Sequence, residues 1–163
     1  MLNQPFIQEL KHEAAATKRM LERVPEDKFD WKPHEKSKTL GQLASHIAEL
    51  PGFLNSILIM DEVDFAKGQY KAYNTKTPEE LMQLFQEKLD EVLQTLQNTT
   101  DEKMHANFTL RSGDHVIATV PRMIAVRSMA LSHIVHHRGQ LSVYLRLLDI
   151  PVPGMYGPSA DEM

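Results

Sequence analysis

The chain of 163 residues contains no cysteine. That absence excludes disulfides, thiolate metal ligands, a cysteine nucleophile and iron–sulfur clusters, so any metal or acid–base chemistry must use nitrogen and oxygen atoms. A basic excess is also missing, because 18 lysines and arginines stand against 22 aspartates and glutamates, a net charge of −4. This balance argues against a protein that binds nucleic acid without sequence preference.

Long apolar runs and targeting signals are missing as well. The N-terminus, MLNQPFIQELKHE, has no basic start followed by an apolar stretch, which argues against a secretory signal. The most apolar window, residues 47–60, is interrupted by Glu49, Pro51 and Asn55 and is shorter than the roughly 18 residues of a membrane span. The sequence therefore predicts a cytoplasmic protein that does not enter a membrane.

Apolar residues recur at helical spacing in four segments of the chain. The predicted helices cover approximately residues 3–24, 39–58, 77–98 and 121–148. Thr39 with Gln42, and Thr77 with Glu80, fit N-terminal capping boxes at the start of the second and third helices. We expect an all-α protein, an up-down four-helix bundle with long loops and a proline-rich C-terminal tail, in a single domain over residues 1–163.

Two connections in this scheme are unusually long. Residues 61–76 carry three aromatic side chains, and structureless links of this length are often lids or binding loops. Residues 99–120 include two runs suited to strands on either side of Ser112-Gly113-Asp114, which is compatible with a short hairpin or an irregular excursion.

Eight histidines are the most informative residues in the chain. His133 and His137 are four residues apart on the fourth predicted helix, so their side chains lie about 40° apart on the face that the apolar stripe marks as internal. Two imidazoles one turn apart can bind one divalent ion from the same side. His46, on the apolar stripe of the second predicted helix, is the natural third ligand.

The simpler interpretation of any one core histidine is a hydrogen bond to the backbone. Three such rings facing the interior without a partner would be costly, however, which favours a metal site. His136 is a candidate donor beside the ligands, and the four other histidines are expected to be solvated: His12, His34, His105 and His115. Glu49 could orient a ligand or act as a base, although a solvated helix face is the simpler interpretation.

Two segments resemble a known family. The run from His133 to Glu162, HIVHHRGQLSVYLRLLDIPVPGMYGPSADE, resembles the C-terminal signature of the DinB-like (DinB/YfiT) metalloenzyme family, and GQLASHIAELPGF at residues 41–53 matches the segment with that family's first histidine ligand. The resemblance implies a four-helix bundle holding a divalent ion, commonly nickel or zinc and sometimes iron or another metal, on His46, His133 and His137. It also implies homodimers and, in some relatives, transferases and isomerases that use low-molecular-weight thiols.

Three neutral imidazoles leave coordination positions open, as expected of a catalytic rather than a structural site. A bound ion would acidify water or ionise the thiol of a small substrate. We therefore expect a metal-dependent transferase that uses a small thiol, or a hydrolase; the sequence does not single out a catalytic side chain. The alternative is a stress-linked metal-binding or scaffold protein without turnover. An open cavity beside the ion, lined by apolar groups and the 61–76 link, would favour the enzyme.

Overall fold

The computed structural model describes residues 1–70 and 72–163; Lys71, in the predicted 61–76 link, lies outside the described residues. The protein is mostly helical and contains a small three-stranded sheet. The helices are α1 (Asn3–Leu21), α2 (Leu40–Ile59), α3 (Pro78–Asn98), α4 (Asp101–His105), α5 (Arg122–Ala125) and α6 (Ser132–Leu147). The strands are β1 (Glu62–Asp64), β2 (Asn107–Ser112) and β3 (His115–Pro121).

The predicted capping residues begin two of the long helices. Thr39 accepts a hydrogen bond from the backbone N–H of Gln42, whose side chain accepts one from the Thr39 N–H, so both parts of the capping box are formed. Thr77 accepts a hydrogen bond from the N–H of Glu80, and Pro78 occupies the first turn. These local signals set where α2 and α3 begin, and both predicted starts are confirmed.

Helix α2 lies at the centre of the molecule. It packs against α3 on one side and against α6 on the other, while α1 packs against α3 and α6. Buried residues of α2 belong to both hydrophobic clusters of the core, for example Leu43 and Ile47 in one and Leu54 in the other. In the part of the chain that the structure describes, no helix is long and apolar enough to cross a membrane.

The expectation of an all-α protein is wrong, because the two long connections pair with each other in a sheet. β1 pairs in parallel with β2, with Glu62 opposite Thr109, and β2 pairs antiparallel with β3 through a turn at Gly113. The hairpin occupies the segment whose strand pattern the sequence showed. β1 has only three residues, too few for a periodic pattern, and its partner lies more than forty residues away. The up-down four-helix bundle stays a prediction.

The fourth predicted helix is helical over nearly its whole length, but it is not a regular α-helix. A π-helical segment, Val126–Leu131, separates α5 from α6. Such π segments are rare in proteins, and those that occur are often found at functional sites. His133 and His137 both follow it, so the four-residue spacing that places them on one face of α6 is kept.

Arg138 fixes the inner face of α6 against α1 and the C-terminal tail. Its guanidinium lies 2.7 Å from Glu13 Oε2 and donates a 2.7 Å hydrogen bond to the hydroxyl of Tyr156. The Tyr156 hydroxyl also contacts Glu13, so the three side chains form one network. Arg138 therefore joins α6 to α1 and to the C-terminal tail, on the side of the helix away from the two histidines.

Arg122 is fully buried at the junction of the helices and the sheet. It donates hydrogen bonds to the carbonyl oxygens of Ile57 and Met60, at 2.7 and 2.8 Å, and to that of Lys103, at 3.0 Å. We predict that Arg122→Met lowers the free energy of unfolding, measured by urea denaturation, by about 3 kcal/mol or more, because buried acceptors lose their donors.

Lys103→Met is the matched control, since the exposed Lys103 ammonium also contacts the Asp61 carboxylate that Arg122 binds. Exposed ion pairs of this kind contribute little. Equal stability of the Arg122→Met variant and the wild type would show that this side chain does not hold the junction together.

Candidate metal centre

The structure brings His46, His133 and His137 together between α2 and α6. One ring nitrogen from each lies within 4.8 Å of the others. The Nε2 atom of His133 is 2.8 Å from Nε2 of His137 and 3.5 Å from Nε2 of His46. All three side chains are partly buried. The residues selected from the sequence therefore present the same ring atom to one point, although they come from segments almost ninety residues apart.

Side-chain oxygens orient two of the three rings. The Nδ1 atom of His46 lies 2.7 Å from Glu49 Oε1, and Nδ1 of His137 lies 2.7 Å from Gln140 Oε1. Both oxygens accept hydrogen bonds, so each Nδ1 carries the proton and each Nε2 keeps a free lone pair. Each partner is three residues after its histidine, on the same helical face. The two helices thus supply both the ring and the group that turns it inward.

Of the two interpretations of Glu49, the structure favours the one in which it orients a ligand side chain. Its carboxylate is only 3% exposed, so the expected solvated face is wrong. Besides His46, it accepts hydrogen bonds from the hydroxyl of Tyr70 and from the backbone N–H of Tyr73, at 2.9 Å for the latter. The signal available in the sequence was the three-residue spacing from His46. The donors from the 61–76 link could not be seen there.

Burial also sets the protonation of the cluster. Loss of hydration lowers the pKa of His137 to about 4, with the neighbouring rings of His46 and His133 adding to the effect and Gln140 opposing it. Burial, followed by the nearby His46, likewise lowers the pKa of His133. Both rings are therefore neutral at pH 7, the form in which imidazole binds a metal ion.

The donor set fits a divalent transition metal. Two Nε2 atoms at 2.8 Å cannot both direct lone pairs at each other without a proton or a cation between them. Three imidazole nitrogens suit zinc, nickel, copper or iron, whereas magnesium and calcium prefer oxygen ligands. Among the described residues, no carboxylate or further histidine joins this cluster. Three protein ligands leave room for a small molecule, as in catalytic zinc sites.

An open groove of about 380 Å³ lies directly beside the cluster and includes His133 and His136 in its lining. The remaining lining is almost entirely apolar and comes from α2, the residues after β1, β2 and the π segment: Phe53, Phe65, Leu110 and Met129, with the hydroxyls of Ser128 and Ser132. A molecule in this groove would touch the histidine cluster from the solvent side.

A second cavity, of about 270 Å³, lies on the other side of Glu49 and Tyr70. Its lining is more polar and includes Asn55, Gln69 and Lys88. Glu49 and Tyr70 stand between this cavity and His46, whose ring both of them contact. Of the two spaces, the apolar groove is the one whose lining includes a histidine of the cluster, His133.

The other histidines lie outside the cluster. Four of them are exposed, as expected: His12, His34, His105 and His115. His136 is also exposed, and its ring stacks edge-on against that of His137 with 4.8 Å between centroids. His136 lines the groove. Among the described residues, it makes no hydrogen bond to the rings of His46, His133 or His137.

Comparisons with known proteins agree with this architecture. A sequence model of the DinB family matches residues 1–163. The "Uncharacterized protein YjoA" of Bacillus subtilis (strain 168) is 27% identical over 132 residues, which are 80% of this chain and 80% of that protein.

Two solved structures share the fold. A DinB-like protein from Bacillus subtilis, YjoA, has a TM-score of 0.71 at 20% identity, covering 98% of this chain and 99% of that one. A DinB-like protein from Bacillus cereus ATCC 10987 has a TM-score of 0.71 at 21% identity, covering 93% and 95%.

The low pKa of His137 predicts how the stability of the metal-free protein depends on pH. Unfolding returns the ring to an ordinary pKa of 6.5, whereas the folded value is about 4, so the unfolded chain binds the extra proton first. The contribution of His137 to stability is complete above pH 6.5 and is lost as the pH falls towards 4. Urea denaturation across this range should show wild-type stability falling more steeply than that of His137→Asn. An exposed control, His105→Asn, should keep the wild-type slope; identical slopes for all three proteins would contradict the predicted shift.

Proposed function

We propose that this chain, which belongs to the DinB family, binds one divalent metal ion through His46, His133 and His137 and uses it in a reaction of a small molecule. The proposal is supported by the family match over residues 1–163 and by the approach of the three ring nitrogens to within 4.8 Å. Zinc and nickel are the ions we favour, with iron or another transition metal as alternatives, since each accepts imidazole nitrogen.

The observation that carries the choice of an enzyme is the apolar groove beside His133. A protein that only stores a metal or acts as a scaffold has no need of a space next to the ligands. The groove is lined by Phe65, from the 61–76 link, and by Leu110, from the sheet. It is open at one side, as a site for a diffusing substrate must be.

When bound, the ion would supply positive charge that ionises a thiol or water at neutral pH. Since the chain has no cysteine, the sulfur of any thiol reaction must come from a substrate, for which a low-molecular-weight thiol is our first candidate. A hydrolase with the same ligands is the variant of this proposal.

The protein side chains have definable tasks in such a reaction. Glu49 and Gln140 hold the protons of two Nδ1 atoms, so that each Nε2 lone pair points to the cluster. Tyr70 donates to Glu49, and burial followed by this contact raises the pKa of Tyr70, which keeps its hydroxyl protonated and donating. The apolar lining of the groove borders His133, at the side from which a substrate would approach.

Four wider expectations stay part of the proposal. We interpret α1, α2, α3 and α6 as an up-down four-helix bundle, on the basis of their mutual packing. We also propose that the protein works in the cytoplasm as a homodimer and does not bind nucleic acid. The net charge of −4 and the absence of a basic run support the last point.

The first test is metal content together with turnover. Purified protein should contain about one equivalent of a transition metal by elemental analysis, and it should consume an electrophile in the presence of a small thiol, or hydrolyse a substrate without one. His137→Ala should lose both the metal and the activity, because two imidazoles remain of three. His105→Ala changes an exposed histidine outside the cluster and should retain both. Metal bound without any turnover would instead support the scaffold alternative.

The second test concerns Glu49. We predict that Glu49→Gln weakens metal binding by about tenfold to a hundredfold. A neutral amide accepts a weaker hydrogen bond from His46 than a carboxylate does, and its NH2 group would meet the donors of Tyr70 and Tyr73. Glu87→Gln, which changes an exposed glutamate on α3, is the control and should leave the affinity unchanged. Both affinities can be measured by competition with a chelator, and equal values would contradict a role for Glu49 in orienting His46.

A further inference from the structure

We propose that the three-stranded sheet is the specificity wall of the site, and that it selects a substrate whose reacting group is attached to an uncharged, apolar body. This inference deepens the proposed function and rests on it, since the groove is a substrate site only if the histidine cluster is a reaction centre. It assigns a task to the part of the fold that the helical pattern did not predict.

Two residues form the wall, and the same sheet places both. Leu110 lies on β2, where its backbone is paired with Val63 of β1, and Phe65 is the first residue after β1. Both line the groove that contains His133. Phe65 is 40% exposed, and its ring packs edge-on against that of Tyr70, with 6.0 Å between centroids. Since Phe65 also lines the groove beside His133, an apolar ligand bound there would cover its exposed surface.

Hydrogen bonds fix the backbone around Phe65. Asp64 is buried, and its Oδ1 accepts hydrogen bonds from the N–H of Ala66 at 3.0 Å and from the N–H of Gly113 at 2.9 Å. These bonds tie the short turn of residues 65–67 to the tip of the hairpin formed by β2 and β3. A side chain fixed before binding loses less conformational entropy when a ligand arrives.

The opposite side of the groove has the same character. Phe53 from α2 and Met129 from the π segment contribute apolar surface. The hydroxyl of Ser128 donates its hydrogen bond to the carbonyl oxygen of Ile124. In the described chain, the groove is lined by no lysine, arginine, aspartate or glutamate. A charged body would lose hydration there without gaining a partner, whereas an apolar body would gain from burial.

A series of straight-chain primary alcohols, from butanol to heptanol, tests this directly on the metal-free protein. Binding can be followed by NMR through the methyl signals of Leu110 and Met129. We expect the affinity to rise roughly fourfold for each added methylene until the groove is filled, which is the usual gain for burying this group. An affinity that does not change with chain length would overturn the inference.

Variants of the wall make the test specific. Phe65→Asn and Leu110→Asn should each weaken heptanol binding by roughly tenfold, through the loss of apolar contact. Phe65→Leu should keep most of the affinity. Val143→Asn is the control, because Val143 is exposed on α6 and does not line the groove. Since Phe65 is partly exposed, its replacement leaves the core intact, and this variant decides the matter if Leu110→Asn does not fold. Wild-type affinity in Phe65→Asn, or an equal loss in Val143→Asn, would contradict the proposal.

The experiment separates this inference from the proposed function because no metal is present during the titration. Alcohol binding that follows chain length, in a protein that takes up no transition metal when one is added, would contradict the metal centre and support the apolar groove alone. Metal binding together with an alcohol affinity that does not change with chain length would support the metal centre and overturn the inference about the apolar groove.

Discussion

The buried carboxylate of Glu49 needs hydrogen-bond donors on every side, and it obtains them from His46, Tyr70 and Tyr73. This requirement joins two parts of the molecule that are distant in sequence. It turns the His46 ring so that its Nε2 atom faces α6, and it draws the link between β1 and α3 against α2. Without these contacts, the Nδ1 atom of His46 would lose its acceptor, and fewer hydrogen bonds, such as those between Thr75 and Ser45, would join the link to α2.

The site is built from two halves with different physical character. Helices α2 and α6 provide the polar groups. On each helix a hydrogen-bond acceptor follows a histidine by three residues, Glu49 after His46 and Gln140 after His137. The sheet provides apolar surface, through Phe65 and Leu110, on the side from which a molecule can enter. Such a division between a polar reaction centre and an apolar enclosure is typical of small-molecule sites.

The sequence predicts the helices and the three histidines because both depend on local spacing. The spacing of four positions from His133 to His137, and an apolar stripe that includes His46, place these side chains on inward-facing sides of their helices. The rest depends on contacts across the chain. β1 has three residues and takes its partner from β2, and Glu49 takes its donors from residues 21 and 24 positions later. Periodicity carries no information about such pairs, so the sheet and the buried state of Glu49 could not be predicted from it.

The central claim is that three imidazole nitrogens form one metal site. The most direct measurement is an X-ray absorption spectrum at the metal edge of zinc- or nickel-loaded protein. We expect scattering from three imidazole rings around a single ion, and from two rings in a His46→Ala variant that is loaded with excess metal to offset its weaker binding. A spectrum dominated by carboxylate oxygen, or one that is the same with and without His46, would contradict the claim.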